Sequence, residues 1–317
     1  MREKLLLSGI AIIASCTFIS CAYEEVLNHT PPTPPEIKSE VKFSSNILTS
    51  GSYSLRMIGD FWEPGDAIGT YMIEKVSYVV AEGKENVRYM TDKGGYTGNF
   101  YASGNYIYFP DDGRDVRFMS YYPYNESVKG AIYKLDVSTQ FPQSKLDFLY
   151  SFNTSATYNK NIETEKIPII FKNQMAKILI NVKNGGSLQG YDLMYMKVYF
   201  SGLSTKADFD LLTGKTINYS GTSPIYPSVL IAGKGNVYSA EAIVIPTSDL
   251  SNAKIVFDLN NGHGNKKSDV YTWNFDKGLE KGKRYTYNVI ISNTGISVST
   301  TIHNWNSIYQ EETTSFE

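Results

Sequence analysis

From Val41 onward, apolar side chains recur at every second residue, a period that fits a pleated strand and not a helix. Met194, Met196, Val198 and Phe200 alternate with Tyr195, Lys197 and Tyr199. Tyr285, Tyr287, Val289 and Ile291 do the same, as do Ile255, Phe257 and Leu259, and Ile178, Ile180 and Val182. Between such runs lie Asp112-Gly113, Asn184-Gly185-Gly186, Thr213-Gly214-Lys215 and Asn261-Gly262, which supply the positive φ that tight turns need. No long amphipathic helical stretch interrupts them. The 25 tyrosines, set against 3 histidines, point the same way, because aromatic rings suit a half-buried pleated surface. The expectation is an all-β chain, folded as sandwiches whose inner faces are the alternating apolar sets.

The N-terminus obeys a different rule. Met1 to Lys4 is charged and Leu5 to Ser15 is almost free of polar side chains, the layout of an export signal too short to span a bilayer. Both cysteines, Cys16 and Cys21, stand at its end, so the body can hold neither a disulfide framework nor a cysteine zinc site. A cysteine after small and apolar residues resembles the lipobox of bacterial lipoproteins, whose thiol is alkylated with diacylglycerol. Ile13-Ala14-Ser15-Cys16 fits the small-residue pattern. Phe18-Ile19-Ser20-Cys21 leaves a longer apolar core and is followed by Ala22-Tyr23-Glu24-Glu25, an acidic pair that resembles the surface-export signal of Bacteroidota lipoproteins. We assign the lipid to Cys21, with Cys16 the alternative; an ordinary secretory signal is the plainer reading. Several acyl chains, at about 0.8 kcal/mol per buried methylene, would hold the precursor at a membrane.

Residues 1–21 are thus the signal and anchor, and residues 22–40 a spacer stiffened by Thr30-Pro31-Pro32-Thr33-Pro34-Pro35. A polar tract from Asn153 to Lys166 is either an interdomain linker or a long loop. We place a boundary near residue 170, giving β-sandwich domains over 41–170 and 171–317.

Residues fit for catalysis are scattered. His29, His263 and His303 lie far apart, which argues against a metal site. Asp111-Asp112 precedes a turn glycine and reads as hairpin chemistry in place of a glycosidase pair, and Glu311-Glu312 as a solvated tail. No phosphate loop, dinucleotide fingerprint or Gly-x-Ser-x-Gly occurs. We expect no enzyme, no cofactor and no metal. A formal net charge of -2 with dispersed Lys and Arg gives no nucleic-acid footprint. Tyr121, Tyr122 and Tyr124 around Pro123, with Trp62 and Trp273, have two readings: stacking on sugar rings, or packing. Packing is preferred.

A longer pattern resembles a known family. After an opening strand over Val41 to Leu48 come Arg56 and Trp62-Glu63-Pro64-Gly65-Asp66-Ala67-Ile68-Gly69. Ile107-Tyr108-Phe109-Pro110, Phe118-Met119-Ser120-Tyr121-Tyr122-Pro123-Tyr124, Gln140 and Asp147-Phe148-Leu149-Tyr150-Ser151 follow in order. Then come Ile169-Ile170-Phe171-Lys172-Asn173-Gln174-Met175-Ala176-Lys177-Ile178, Leu279-Glu280-Lys281-Gly282-Lys283-Arg284-Tyr285-Thr286-Tyr287 and Ile302-His303-Asn304-Trp305. This ordered set resembles the Bacteroides-type fimbrillins, the Mfa-like group of type V pilins. Two positions depart from it: Asn173 stands where His is common, and Leu55-Arg56 where Thr-Arg is usual.

The resemblance implies two tandem transthyretin-like β-sandwich domains and export as a lipoprotein. It implies cleavage by an arginine-directed protease, for which Arg56 is the candidate and Lys38 and Lys42 are alternative basic sites. The removable strand would carry Val41, Phe43, Ile47 and Leu48, and a strand from the next subunit would replace it by β-augmentation. Ile296, Val298, Thr300 and Ile302 alternate near the C-terminus, and with Trp305, Ile308 and Phe316 they are the donor candidates. A last native strand with a polar tail is the competing reading of that segment.

Two functions follow as expectations. One is a shaft or tip subunit of a surface fimbrium, partnered by other fimbrial subunits, anchored by lipid as a precursor, and touching a host or bacterial glycan or protein receptor. The alternative is a monomeric outer-membrane glycan-binding lipoprotein of a polysaccharide-uptake system. Both place the chain at the cell surface.

Overall fold

The computed structural model describes residues 38–47, 61–152, 156–161, 165–186, 188, 191–232, 237–259 and 269–305. The expectations for Cys16, Cys21, Leu48, Arg56, Ile308 and Phe316 lie outside these residues, and of Ile47 only the backbone is described. The described chain is all-β. Its first eight strands are β1 (Phe43–Ile47), β2 (Ala67–Glu74), β3 (Val87–Thr91), β4 (Thr97–Ala102), β5 (Val116–Tyr122), β6 (Ile132–Asp136), β7 (Leu149–Phe152) and β8 (Ile167–Asn173). Next come β9 (Ala176–Asn184), β10 (Lys197–Ser201), β11 (Lys206–Asp210), β12 (Lys215–Ser220) and β13 (Ser228–Ala232). The last are β14 (Val237–Val244), β15 (Lys254–Leu259), β16 (Asp269–Asn274), β17 (Lys283–Ser292) and β18 (Gly295–Asn304).

Seven strands close into a ring in the order β1-β4-β3-β2-β5-β7-β8. Its inner face is the period-two set of each strand: Val41 and Phe43, Phe100, Val87 and Tyr89, Ile68 and Met72, Val116 and Phe118, Leu149, and Ile167, Ile169 and Phe171 form one buried cluster. The tract from Asn153 to Lys166 joins β7 to β8, which are antiparallel neighbours in this ring, with Leu149 opposite Asn173. It is therefore a loop within the ring, tied down where Tyr158 and Val116 exchange backbone hydrogen bonds of 2.8 Å.

β2 is buried at every position from Ile68 to Ile73, which strict alternation would not give. The cause is a second core. Ile68 and Met72 face into the ring, whereas Tyr71 and Ile73 pack outward among residues of the later strands. β5 divides likewise, with Phe118 inside and Met119 and Tyr121 outside. Inside the ring, the Thr70 and Ser120 hydroxyls bond each other at 2.9 Å, which satisfies two polar groups of these paired strands.

The chain leaves the ring after Asn173 and enters a five-stranded sheet of order β13-β14-β9-β17-β18. Two three-stranded sheets, β10-β15-β16 and β12-β11-β6, complete the body. β6 thus pairs with a strand from the later half of the chain, Phe209 opposite Tyr133. Gln140 supplies another link. Its amide accepts from the Ile243 N–H and donates to the Ile243 carbonyl, both at 2.9 Å, so a buried side chain takes the place of a neighbouring strand.

One expected strand is shorter than its alternation suggests. The Asp192 carboxylate accepts the Met194 N–H at 2.9 Å, drawing Leu193–Tyr195 into a single 3-10 turn. β10 therefore begins at Lys197, and Met194 is exposed while Met196, Val198 and Phe200 are buried. The sets in β9, β15 and β17 are buried as their period requires.

Candidate functional site

β1 is the strand that closes the ring. It runs antiparallel to β4, with Phe43 opposite Phe100, and parallel to β8, with Phe43 opposite Ile167. A strand this short is held on both edges and by its approach: Val41 N–H donates to Ile107 O at 2.9 Å, and Ile167 N–H to Lys42 O at 2.8 Å. The Tyr89 hydroxyl adds a 3.0 Å bond to the Val41 carbonyl. Burial holds the Tyr89 phenol well above its usual pKa, so it is a neutral donor there.

Val41 and Phe43 point into the ring and are fully buried. Phe43 meets Tyr89 and Phe118 edge-on, with centroids 4.9 and 5.1 Å away. The next inward residue is Ser45, which is polar yet buried and whose hydroxyl makes no hydrogen bond among the described residues. Opposite Ser45 across the antiparallel ladder is Gly98, and across the parallel ladder is Ile169. Trp62 fills the space that Gly98 leaves. A Cβ on Gly98 would lie 2.9 Å from Trp62 Cδ1 and 2.6 Å from Phe100 Cε2. The Trp62 ring sits edge-on to Phe100, Tyr122 and Phe171 at 4.9, 5.2 and 5.5 Å, and its buried Nε1–H also has no partner among the described residues. Neither Gly98 nor Ser45 carries a sequence signal for this role, because the Trp62 contact that defines it crosses three separate segments.

The donor candidates occupy a native strand. Ile296, Val298 and Ile302 belong to β18, which pairs along its whole length with β17 and is an edge of the five-stranded sheet. Ile296 and Val298 are half-buried against the second core, and Ile302 is exposed. Trp305 ends the strand with its N–H on the Gly282 carbonyl at 2.7 Å. The two segments singled out in the sequence thus differ in setting: β1 has neighbours on both edges, and β18 on one.

The residues weighed for other chemistry are absorbed by structure. Asp111 pairs with Lys38 at 2.9 Å, and Asp112 accepts the Arg114 N–H at 3.0 Å and pairs with its guanidinium at 2.9 Å. Among the described residues no group of His, Cys, Asp or Glu could hold a metal ion. Trp62 and Tyr121 are buried, the Tyr121 hydroxyl donates to Asn86 Oδ1 at 2.6 Å, and Trp273 packs half-buried against the second core. Tyr122 donates to Asp66 at 3.0 Å, and the Arg88 guanidinium stands 5.5 Å from the Tyr124 ring centroid.

Residues 56–305 match the family model described as fimbrillin-like. The "Putative fimbrium subunit Fim1C" of Bacteroides uniformis is 29% identical over 309 residues, covering 96% of each chain. A crystal structure described as a "putative cell adhesion protein" from Bacteroides uniformis is 29% identical, has a TM-score of 0.65, and covers 84% of this chain and 98% of its own. Another of that description, from Bacteroides ovatus, has a TM-score of 0.63 at 20% identity, over 86% of this chain and 99% of that one, and shows the fold. The chain belongs to the fimbrillin-like family.

Proposed function

We propose that this chain is a non-enzymatic structural subunit of a bacterial surface fimbrium, built from two tandem transthyretin-like sandwiches and exported as a lipoprotein anchored at Cys21, with Cys16 the alternative. Cleavage at Arg56 frees β1 from the body, and a strand from another subunit takes its place. Family membership supports the fimbrial role and, with it, the location at the cell surface.

One observation carries the exchange step: among the described residues β1 alone joins β4 to β8, so its departure exposes two strand edges and an apolar furrow at once. Unpaired edges template a new strand, since their N–H and C=O groups lack partners until one arrives. The burial of Trp62 and Tyr121 weighs against the glycan-binding alternative, which needs such rings at the surface.

N-terminal sequencing of the protein recovered from assembled surface material tests the reading. We expect a chain beginning at Met57. A chain that begins at a lipidated Cys21 in that material would refute strand removal.

A further inference from the structure

Resting on the strand exchange just proposed, we infer that the Ser45 level of the furrow is a size gate that sets the register of the incoming strand, and that residues 296–302 of a second copy are the segment that passes it. The inner face of β1 is not uniformly large. It reads Val41, Phe43, then Ser45 opposite the side-chain-free Gly98, with Trp62 lying across that glycine. Phe43 has space between Tyr89 and Phe118. At the Ser45 level the Trp62 indole takes up space that a Cβ at Gly98 would claim, and Trp62 is itself fixed edge-on by three rings. A leucine or phenylalanine entering there must displace Trp62, and overpacking of a filled core is destabilising.

A strand that fits therefore has large apolar residues at its first and second inward places and a small one at the third, with polar residues between. In sequence Val41, Phe43, Ser45 and Ile47 alternate with Lys42, Ser44 and Asn46, and Val41, Phe43 and Ser45 are buried on the inner face. Ile296, Val298, Thr300 and Ile302, separated by Ser297, Ser299 and Thr301, repeat that order in the same chain direction. The tail after Ile308 does not, since Gln310 and Glu312 fall at the alternate places. Transfer from β18 trades one long ladder on a sheet edge for two shorter ladders with β4 and β8. Among the described residues the Ser45 hydroxyl has no partner, so its replacement by threonine or alanine forfeits no bond there.

The test uses the full chain with a site-specific protease sequence placed between Leu48 and Phe61, cut in the folded state. Binding of a fluorescent Gly295–Asn304 peptide is then read by anisotropy. Wild-type and T300A peptides should bind within about threefold of each other, whereas T300L and T300F should bind at least ~10-fold more weakly, the scale of an overpacked core position. V298L, one level away, should bind like wild type. If all peptides bind alike, the size gate is wrong and strand exchange stands. If a peptide of residues 306–317 binds more tightly than the wild-type peptide, the named segment is wrong. If β1 leaves the cut chain and no peptide binds, the exchange reading falls and the gate with it.

Discussion

The ammonium of Lys177 lies 5.0 Å from the centre of the Trp305 ring, while a carboxylate oxygen of Glu241 stands 3.7 Å from the same ammonium. Lys177 is in β9 and Glu241 in β14, whereas Trp305 closes β18, so one buried cation ties both flanks of the five-stranded sheet together. Lysine is almost never this buried without such partners. Replacing Trp305 with alanine removes the ring from this cation and from the second core. The expected loss is about 2 kcal/mol, to be measured by urea unfolding, with faster hydrogen exchange concentrated in Gly295–Asn304.

Phe43 should be the costliest position in β1. It is fully buried between two aromatic rings, so Phe43→Ala in the intact chain should lower stability by about 3 to 5 kcal/mol, the range for emptying a large core site. Ser44, half-exposed on the same strand, should tolerate alanine within about 0.5 kcal/mol. Equal losses at the two positions would mean that β1 is not held by its inner face.

Gln140→Leu keeps the bulk but removes both bonds to the Ile243 backbone. The orphaned amide and carbonyl should lower stability by roughly 1 to 3 kcal/mol, and the Ile243 amide should exchange faster than its neighbours in β14. Unchanged protection at Ile243 would show that another group supplies the bond.

Alkaline pH should unfold the protein through its tyrosines. Burial raises the phenols of Tyr71, Tyr89, Tyr121, Tyr122, Tyr150 and Tyr287 above the ordinary 10.0, and pushes Tyr133 and Tyr238 up to about 12. The unfolded chain gives up these protons first. Their contribution is complete below pH 10 and is lost as pH rises through the folded values. Each group steepens the loss by about 1.4 kcal/mol per pH unit in that window. The urea midpoint should be flat up to about pH 9 and fall sharply above 10, in step with phenolate absorbance.

Alternation revealed the strands and their buried faces in β9, β15 and β17, because period two depends only on local pleating. It missed the 3-10 turn at Leu193–Tyr195, since a side-chain cap at Asp192 competes with the ladder there. The double burial of β2 was hidden as well: Tyr71 and Ile73 belong to a second core assembled from many separate segments of the chain. At the candidate site, Val41 and Phe43 were readable from their spacing. Trp62 was singled out for packing, but its meeting with Ser45 and Gly98 was not readable, because it depends on the closure of the ring by β1 against β4, a contact that no local pattern encodes.

That closure also has a mechanical meaning. Tension along the axis of β1 acts across its hydrogen bonds to β4 and β8, which run largely sideways to the strand. The bonds on both edges then share the load and must yield together, whereas a pull at right angles would part them one at a time. A strand seated in this furrow resists being drawn out lengthwise far better than being peeled away, and under the strand exchange proposed above the same geometry would set the strength of the joint between subunits.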